Sequence, residues 1–312
     1  MRVKIHLSFV IFLVVFTALI FPGTDEKPVC EWLKKPVDDS TFKAYLEFFA
    51  YDTNLPFETE SLEVKDNEGI RKERLLFLST PGERIYANLY SAASASAGKE
   101  ASLIFIHGGT ALGKDDPRYN VMAGVFVRAG WKVLSIDLKY FGERRTDIFK
   151  IFSEEEKHEK LYNNPSAYLT WMIQNVKDIK RSVDFFIKER NADPKRIGLI
   201  GRSRGAVVGT IAAGVEQRLS PIVLLYGGHF DLLERDHKGS ACPANYIGRI
   251  SPRPILMING TRDADFIKET SVDPMYNLAK QPKRIIWVEG GHGAMNEESQ
   301  SEMLDWLREN LK

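Results

Sequence analysis

The pentapeptide Gly201-Arg202-Ser203-Arg204-Gly205 presents one hydroxyl between two guanidinium groups, framed by a glycine two residues to either side. A serine hydroxyl is a poor nucleophile at neutral pH. It becomes a strong one beside a general base whose ring is oriented by an acid. The glycines have a steric reading: a strand that turns abruptly into a helix strains the residue at the turn and crowds the neighbouring backbone, so the flanking positions tolerate almost nothing larger than glycine. Gly201 and Gly205 are the elbow positions of such a turn. It lifts Oγ clear of the sheet and aims the first N–H groups of the helix at any oxyanion formed there. A helix-capping serine followed by small packing residues is the plainer alternative.

A base and an acid must come from elsewhere in the chain. Of the six histidines, His6 falls in an apolar N-terminal block, His158 and His237 in charged stretches, and His107 and His229 at or just after apolar runs. His292 stands in "VEGGHGAM", a glycine-rich loop after the last apolar run, from which an imidazole can swing over the edge of a sheet; it is the candidate base. For the acid, "ILMINGTRDADF" offers Asp263 and Asp265, and Asp263, three residues after Gly260, is the first choice. Taken singly, either aspartate reads as a turn former. Ser203, Asp263 and His292 together give the chain order nucleophile, acid, base. A further element, "HGGT" (107–110), has two glycines that let backbone N–H groups turn inward. Gly109, with Thr110 as second choice, is expected to join the Arg204 N–H as an oxyanion donor.

The elements that would position these residues follow from hydrophobic rhythm. The runs 102–107, 131–138, 196–201, 221–227, 254–260 and 284–290 are short and continuously apolar, as strands covered on both faces require. Helical spacing separates them at 117–129, at 166–189 (Leu169, Met172, Val176, Ile179, Val183 and Phe186 along one face), from Ser203 onward, and at 299–312. This is βαβ repetition around a mostly parallel sheet with helices on both faces. Before it, residues 74–90 read as two strands around the Pro81-Gly82 turn, which adds antiparallel strands at the start of the sheet. Residues 91–100 are a small, polar surface loop. Two stretches break the rhythm, 144–165 and 228–248, and both are expected to cover the carboxyl edge of the sheet, where open α/β folds bind ligands.

Composition sets the remaining limits. The 312 residues are 44% hydrophobic and 27% charged, enough for one large core, and 43 basic against 42 acidic side chains leave a net charge of +1. That balance gives no reason to expect a nucleic-acid partner. The two cysteines, Cys30 and Cys242, are too few for a disulfide scaffold and lack zinc-ligand spacing; whether they pair is open. Arg2 and Lys4 precede the apolar block Leu7–Phe21, which is nearer a signal-peptide core than a membrane span in length. Residues 1–23 are therefore expected to be a signal peptide or, left uncleaved, a membrane anchor through residues 5–21, and the protein to be exported. Residues 24–73 form an N-terminal arm and 74–312 the catalytic domain.

The motifs "HGG" (107–109), "GRSRG" (201–205), "GTRD" (260–263) and "GGH" (290–292) resemble those of the α/β-hydrolase superfamily over roughly residues 74–312. Within it, "SIDLKYFGER" and "DPKRIGLIGRSRGA" resemble the dienelactone hydrolase-like, acetyl xylan esterase-like and prolyl oligopeptidase-like branches. The resemblance implies the α/β-hydrolase fold and a serine hydrolase that forms an acyl-enzyme, needs no cofactor or metal, and takes a small-molecule or carbohydrate ester. Serine at the nucleophile position sets the chain apart from the dehalogenases, which use aspartate there, and from dienelactone hydrolases proper, which use cysteine. The alternatives are a small exo-acting peptidase and a non-catalytic binding protein of the same fold. Arg202 and Arg204 depart from the common pattern. Cations at a helix start are disfavoured by about 0.3–1 kcal/mol each, so the expectation is a salt bridge to a nearby carboxylate or, for one of them, a place in the pocket facing an acidic substrate group.

Overall fold

The computed structural model describes residues 30–94, 100–235 and 237–311. The expected leader lies outside the described residues, as does half of the 91–100 loop, residues 95–99. Among the described residues, nine strands form one sheet in the order β1-β2-β3-β5-β4-β6-β7-β8-β9. The first three, β1 (Glu60–Asn67), β2 (Ile70–Thr80) and β3 (Glu83–Ala92), are antiparallel, and β3 runs antiparallel to β5 (Lys132–Ile136). From β5 onward, β4 (Ser102–Ile106), β6 (Ile197–Arg202), β7 (Leu219–Leu225), β8 (Ile255–Gly260) and β9 (Lys283–Val288) are parallel. The mixed, mostly parallel sheet agrees with the sequence reading. It starts earlier than expected, because β1 precedes the hairpin that turns at Gly82.

Alternation along each parallel strand divides the core in two. Ile104, Ile106, Leu134, Leu199 and Leu224 face one side; Leu103, Phe105, Val133, Ile200 and Leu225 face the other. The first side is covered by the long helix Pro165–Glu189 and by Arg204–Val215, the second by Pro117–Arg128 and Glu297–Asn310. The long helix starts where Asn164 accepts the Ala167 N–H and Pro165 fills the first turn, a position where its missing N–H costs nothing. Its expected face is buried except at Leu169, which is half-buried while Tyr168 takes the interior place. The helix Arg204–Val215 is buried on almost every side, which is why its sequence is small and apolar all round rather than striped.

The N-terminal arm is anchored, not free. Its helix Asp39–Leu46 begins at Asp38, whose carboxylate accepts the Thr41 N–H at 2.8 Å, and Phe42 and Phe49 pack edge-on against Tyr246. Burying such rings contributes roughly 1.5–3 kcal/mol each. The two irregular stretches meet each other across the carboxyl edge: the Asn163 side chain donates to the Leu233 carbonyl and accepts the Arg235 N–H. Among the described residues, no helix is long and apolar enough to cross a membrane.

Candidate active site

β6 ends at Arg202 and the next helix starts at Arg204, leaving Ser203 alone at the turn with φ 54° and ψ −120°. A β-carbon-bearing residue holds such angles only where its surroundings impose them. Here the Ser203 N–H donates to the Leu225 carbonyl at 2.7 Å, and the Ser203 carbonyl accepts the Ala206 N–H at 2.8 Å. A β-carbon at Gly201 would lie 2.4 Å from the Gly205 carbonyl oxygen, and one at Gly205 would lie 2.3 Å from the Ile106 oxygen. Either addition would push the turn off the sheet. The Ser203 hydroxyl makes no helix-capping bond; it faces His292 instead.

Ser203 Oγ lies 3.0 Å from His292 Nε2, and His292 Nδ1 lies 2.8 Å from Asp263 Oδ2. The imidazole is held by aromatic walls, with Phe266 stacked on it and Tyr226 edge-on, each ring centre 5.9 Å away. Asp263 is buried and its other oxygen accepts the N–H groups of Asp265 and Phe266 at 2.9 and 3.0 Å. Burial pushes the Asp263 carboxyl up, but the His292 bond and these two N–H donors outweigh it and hold the group below the ordinary aspartate value. Asp265, the second-choice acid, is exposed, with Oδ2 3.7 Å from Nδ1. Asp263, Asp265 and His292 are close enough to hold a cation, yet both imidazole nitrogens are already engaged.

The "HGGT" loop comes to the same place. A β-carbon on Gly108 would lie 3.2 Å from Ser203 Cβ, so this backbone abuts the turn. His107 shapes it: buried, it donates from Nδ1 to the Gly108 carbonyl at 2.6 Å and accepts the Leu138 N–H at Nε2, a pairing that needs the neutral ring. Burial lowers its pKa and favours that form. Among the described residues the Gly109 and Arg204 N–H groups have no backbone partner, whereas the Thr110 N–H donates to the Gly108 carbonyl at 2.8 Å. Thr110, the second choice after Gly109, thus has its N–H bonded within its own turn.

The two arginines part company. Arg204 is buried, paired with Asp231 and, at 2.6 Å, with Glu234, and lies over the Tyr162 ring at 3.8 Å. It is the salt-bridged arginine. Arg202 is half-buried between Tyr119 and Tyr226, at 5.5 and 5.3 Å from their ring centres, and donates to the Tyr119 hydroxyl. Among the described residues it has no carboxylate partner. Tyr119, Tyr226 and Phe266 escaped the sequence reading of the site, and His107 entered it only as part of the glycine motif. Only His107, next to the glycine pair, carried a local signal.

The sheet order, the strained serine and the meeting of Ser203, His292 and Asp263 after successive strands match an α/β-hydrolase fold, and solved structures agree in fold. The acetyl xylan esterase 1 of a Thermoanaerobacterium species superposes with a TM-score of 0.68 over 90% of this chain and 98% of its own, at 18% identity. The acetyl xylan esterase of a Paenibacillus species gives 0.69 over 90% and 99%, at 14% identity. The glucuronoyl esterase of Solibacter usitatus gives 0.56 over 87% and 93%, at 13% identity. No family model matches the chain. In sequence, the chain is similar to the uncharacterized protein YfhR of Escherichia coli K12, at 26% identity over 129 residues; the match spans 36% of this chain and 44% of that one, less than half the relative's length.

Proposed function

We propose that the protein is a serine hydrolase of carboxylic esters. The observation that carries this reading is the unbroken line of hydrogen bonds from Ser203 Oγ through His292 to Asp263, at a turn whose backbone is strained around the hydroxyl. Ser203 Oγ attacks the ester carbonyl while His292 Nε2 takes its proton and then returns it to the departing alcohol. Asp263 fixes the imidazole and stabilises its cation. The Gly109 and Arg204 N–H groups receive the oxyanion, each such donor contributing about 3 kcal/mol in the transition state. Water then repeats the cycle on the acyl-enzyme.

The esterases among the superposed structures support the ester class. Arg202 supports a preference within it: a guanidinium beside the nucleophile, with no carboxylate partner among the described residues, favours esters that carry an acidic group. The apolar block Leu7–Phe21 behind Arg2 and Lys4 supports export, with the arm from residue 24 and the catalytic domain following the leader.

A fluorophosphonate probe tests the core of the proposal. Wild-type protein is expected to label at one site and to hydrolyse p-nitrophenyl esters, and Ser203→Ala to lose labelling and at least ~10⁴-fold in kcat. A folded wild type that neither labels nor hydrolyses any ester in a chain-length series would leave a binding protein of hydrolase fold.

A further inference from the structure

The only two cysteines of the chain, 212 residues apart, meet in the structure. Cys30 stands at the start of the short helix Glu31–Lys34, Cys242 in the irregular stretch after β7, and His229 beside them, with their three ligand atoms within 4.8 Å of one another. Cys242 is fully buried, Cys30 half-buried, and His229 Nε2 lies 3.2 Å from the Cys242 sulfur. We infer that Cys30 and Cys242 form a disulfide that ties the N-terminal arm to the segment covering the candidate site.

The surroundings are built for a permanent junction. Val37 N–H donates to the Asn245 side chain at 2.9 Å, Arg249 donates to the Val37 carbonyl at 2.9 Å, and Trp32 and Tyr45 crowd Gly239 so closely that a β-carbon there would lie 2.7 Å from the tyrosine oxygen. The arm is thus already seated on residues 239–249, and the sulfurs are brought together by contacts that do not depend on them. The same irregular stretch carries Asp231 and Glu234, the partners of Arg204.

A structural zinc site takes four ligands. Among the described residues the cluster offers three from histidine, cysteine and carboxylate side chains, which suits a sulfur pair with a neighbouring base better than a closed metal site.

The chemistry balances with a small-molecule disulfide as oxidant. Cys30 is the attacking sulfur: the Cys242 thiol donates to it, and this bond, with help from His229, outweighs burial and favours its thiolate. It displaces one thiolate from the oxidant to give a mixed disulfide. Cys242, whose proton passes to the thiolate displaced first, then attacks the Cys30 sulfur and expels the second thiolate, which takes up from solvent the proton that Cys30 released. Two protein thiols and one small disulfide become one protein disulfide and two small thiols. Covalent closure of so long a loop restricts the unfolded chain strongly.

The test uses the full chain held in oxidised glutathione, then unfolded and treated with iodoacetamide. Neither cysteine is expected to take label until a reductant is added, after which both do, and digestion without reductant is expected to join the Cys30 and Cys242 peptides. Oxidised wild type should melt about 5–10 °C above its reduced form. Cys30→Ser should melt at the reduced temperature in either buffer. Because the labelling is read on wild type, a variant that fails to fold leaves the test intact. Alkylation of both cysteines in the oxidised protein overturns the inference; so does one equivalent of retained zinc that shields both thiols until a chelator is added.

Discussion

Arg202 and Arg204 stand on either side of one serine and end up in opposite environments. The alternation of β6 sends Arg202 toward the face built on Tyr119 and Tyr226, while the turn into the helix sends Arg204 to the face built on Tyr162. Both lie against aromatic rings, but among the described residues only Arg204 meets carboxylates, Asp231 and Glu234, both from the irregular stretch after β7. Identical residue types two positions apart thus differ in that one is fixed by carboxylates and the other, on the proposed function, is left to meet a substrate. Two carboxylates against one cation fasten the cover to the start of the helix behind Ser203, whereas the half-buried arginine keeps donor groups in reach of a ligand.

The strongest way to break this contrast is Arg204→Met. It leaves Glu234 fully buried without its cation, and an uncompensated buried charge typically costs about 3–5 kcal/mol; urea unfolding should show that loss, and a change below about 1 kcal/mol would remove the structural role. Glu234→Gln sharpens it through pH. Burial, reinforced by the Asp231 charge, pushes the Glu234 carboxyl up to about 7 against the pull of Arg204. A raised folded pKa means stability that is full below the unfolded value and is lost as pH rises through the folded one. Wild type should therefore lose about 2–3 kcal/mol relative to the variant between pH 4.5 and pH 8. Parallel stability profiles for the two would count against this. The smallest effect belongs to Arg202→Gln. Its stability should fall by no more than about 1 kcal/mol, while kcat/KM for carboxylate-bearing esters drops roughly tenfold and that for neutral esters holds, a difference of about 1.4 kcal/mol. Equal losses on both series would assign Arg202 to packing alone.

The parallel half of the sheet was legible because strands buried on both faces must be continuously apolar, and β4, β6, β7 and β8 are. Strand β1 was not, since every one of its residues is exposed and its two apolar residues, Leu62 and Val64, are too few to set it off from a charged loop. At the candidate site, the three side chains that meet, Ser203, His292 and Asp263, were legible through the glycines and strand ends that place them, which are local signals. What sequence withheld was everything contributed from a distance: the tyrosines around Arg202, the two carboxylates on Arg204, the Phe266 ring on His292, and the meeting of Cys30 with Cys242. The internal bond of Thr110 was equally hidden, because a glycine-rich turn fixes that backbone conformation without fixing which N–H it uses.

Strand β1 has a consequence for how the molecule behaves among copies of itself. It is the outermost strand on its side, and the unpaired backbone groups of such a border are a template on which another chain can lay down a strand. Its residues Glu60, Glu63, Lys65 and Asp66, together with a register irregularity between Ser61 and Glu63, interrupt that template with charge and a kink. Charge and a kink on the strand with the least to do in the core thus oppose edge-to-edge pairing with a second copy.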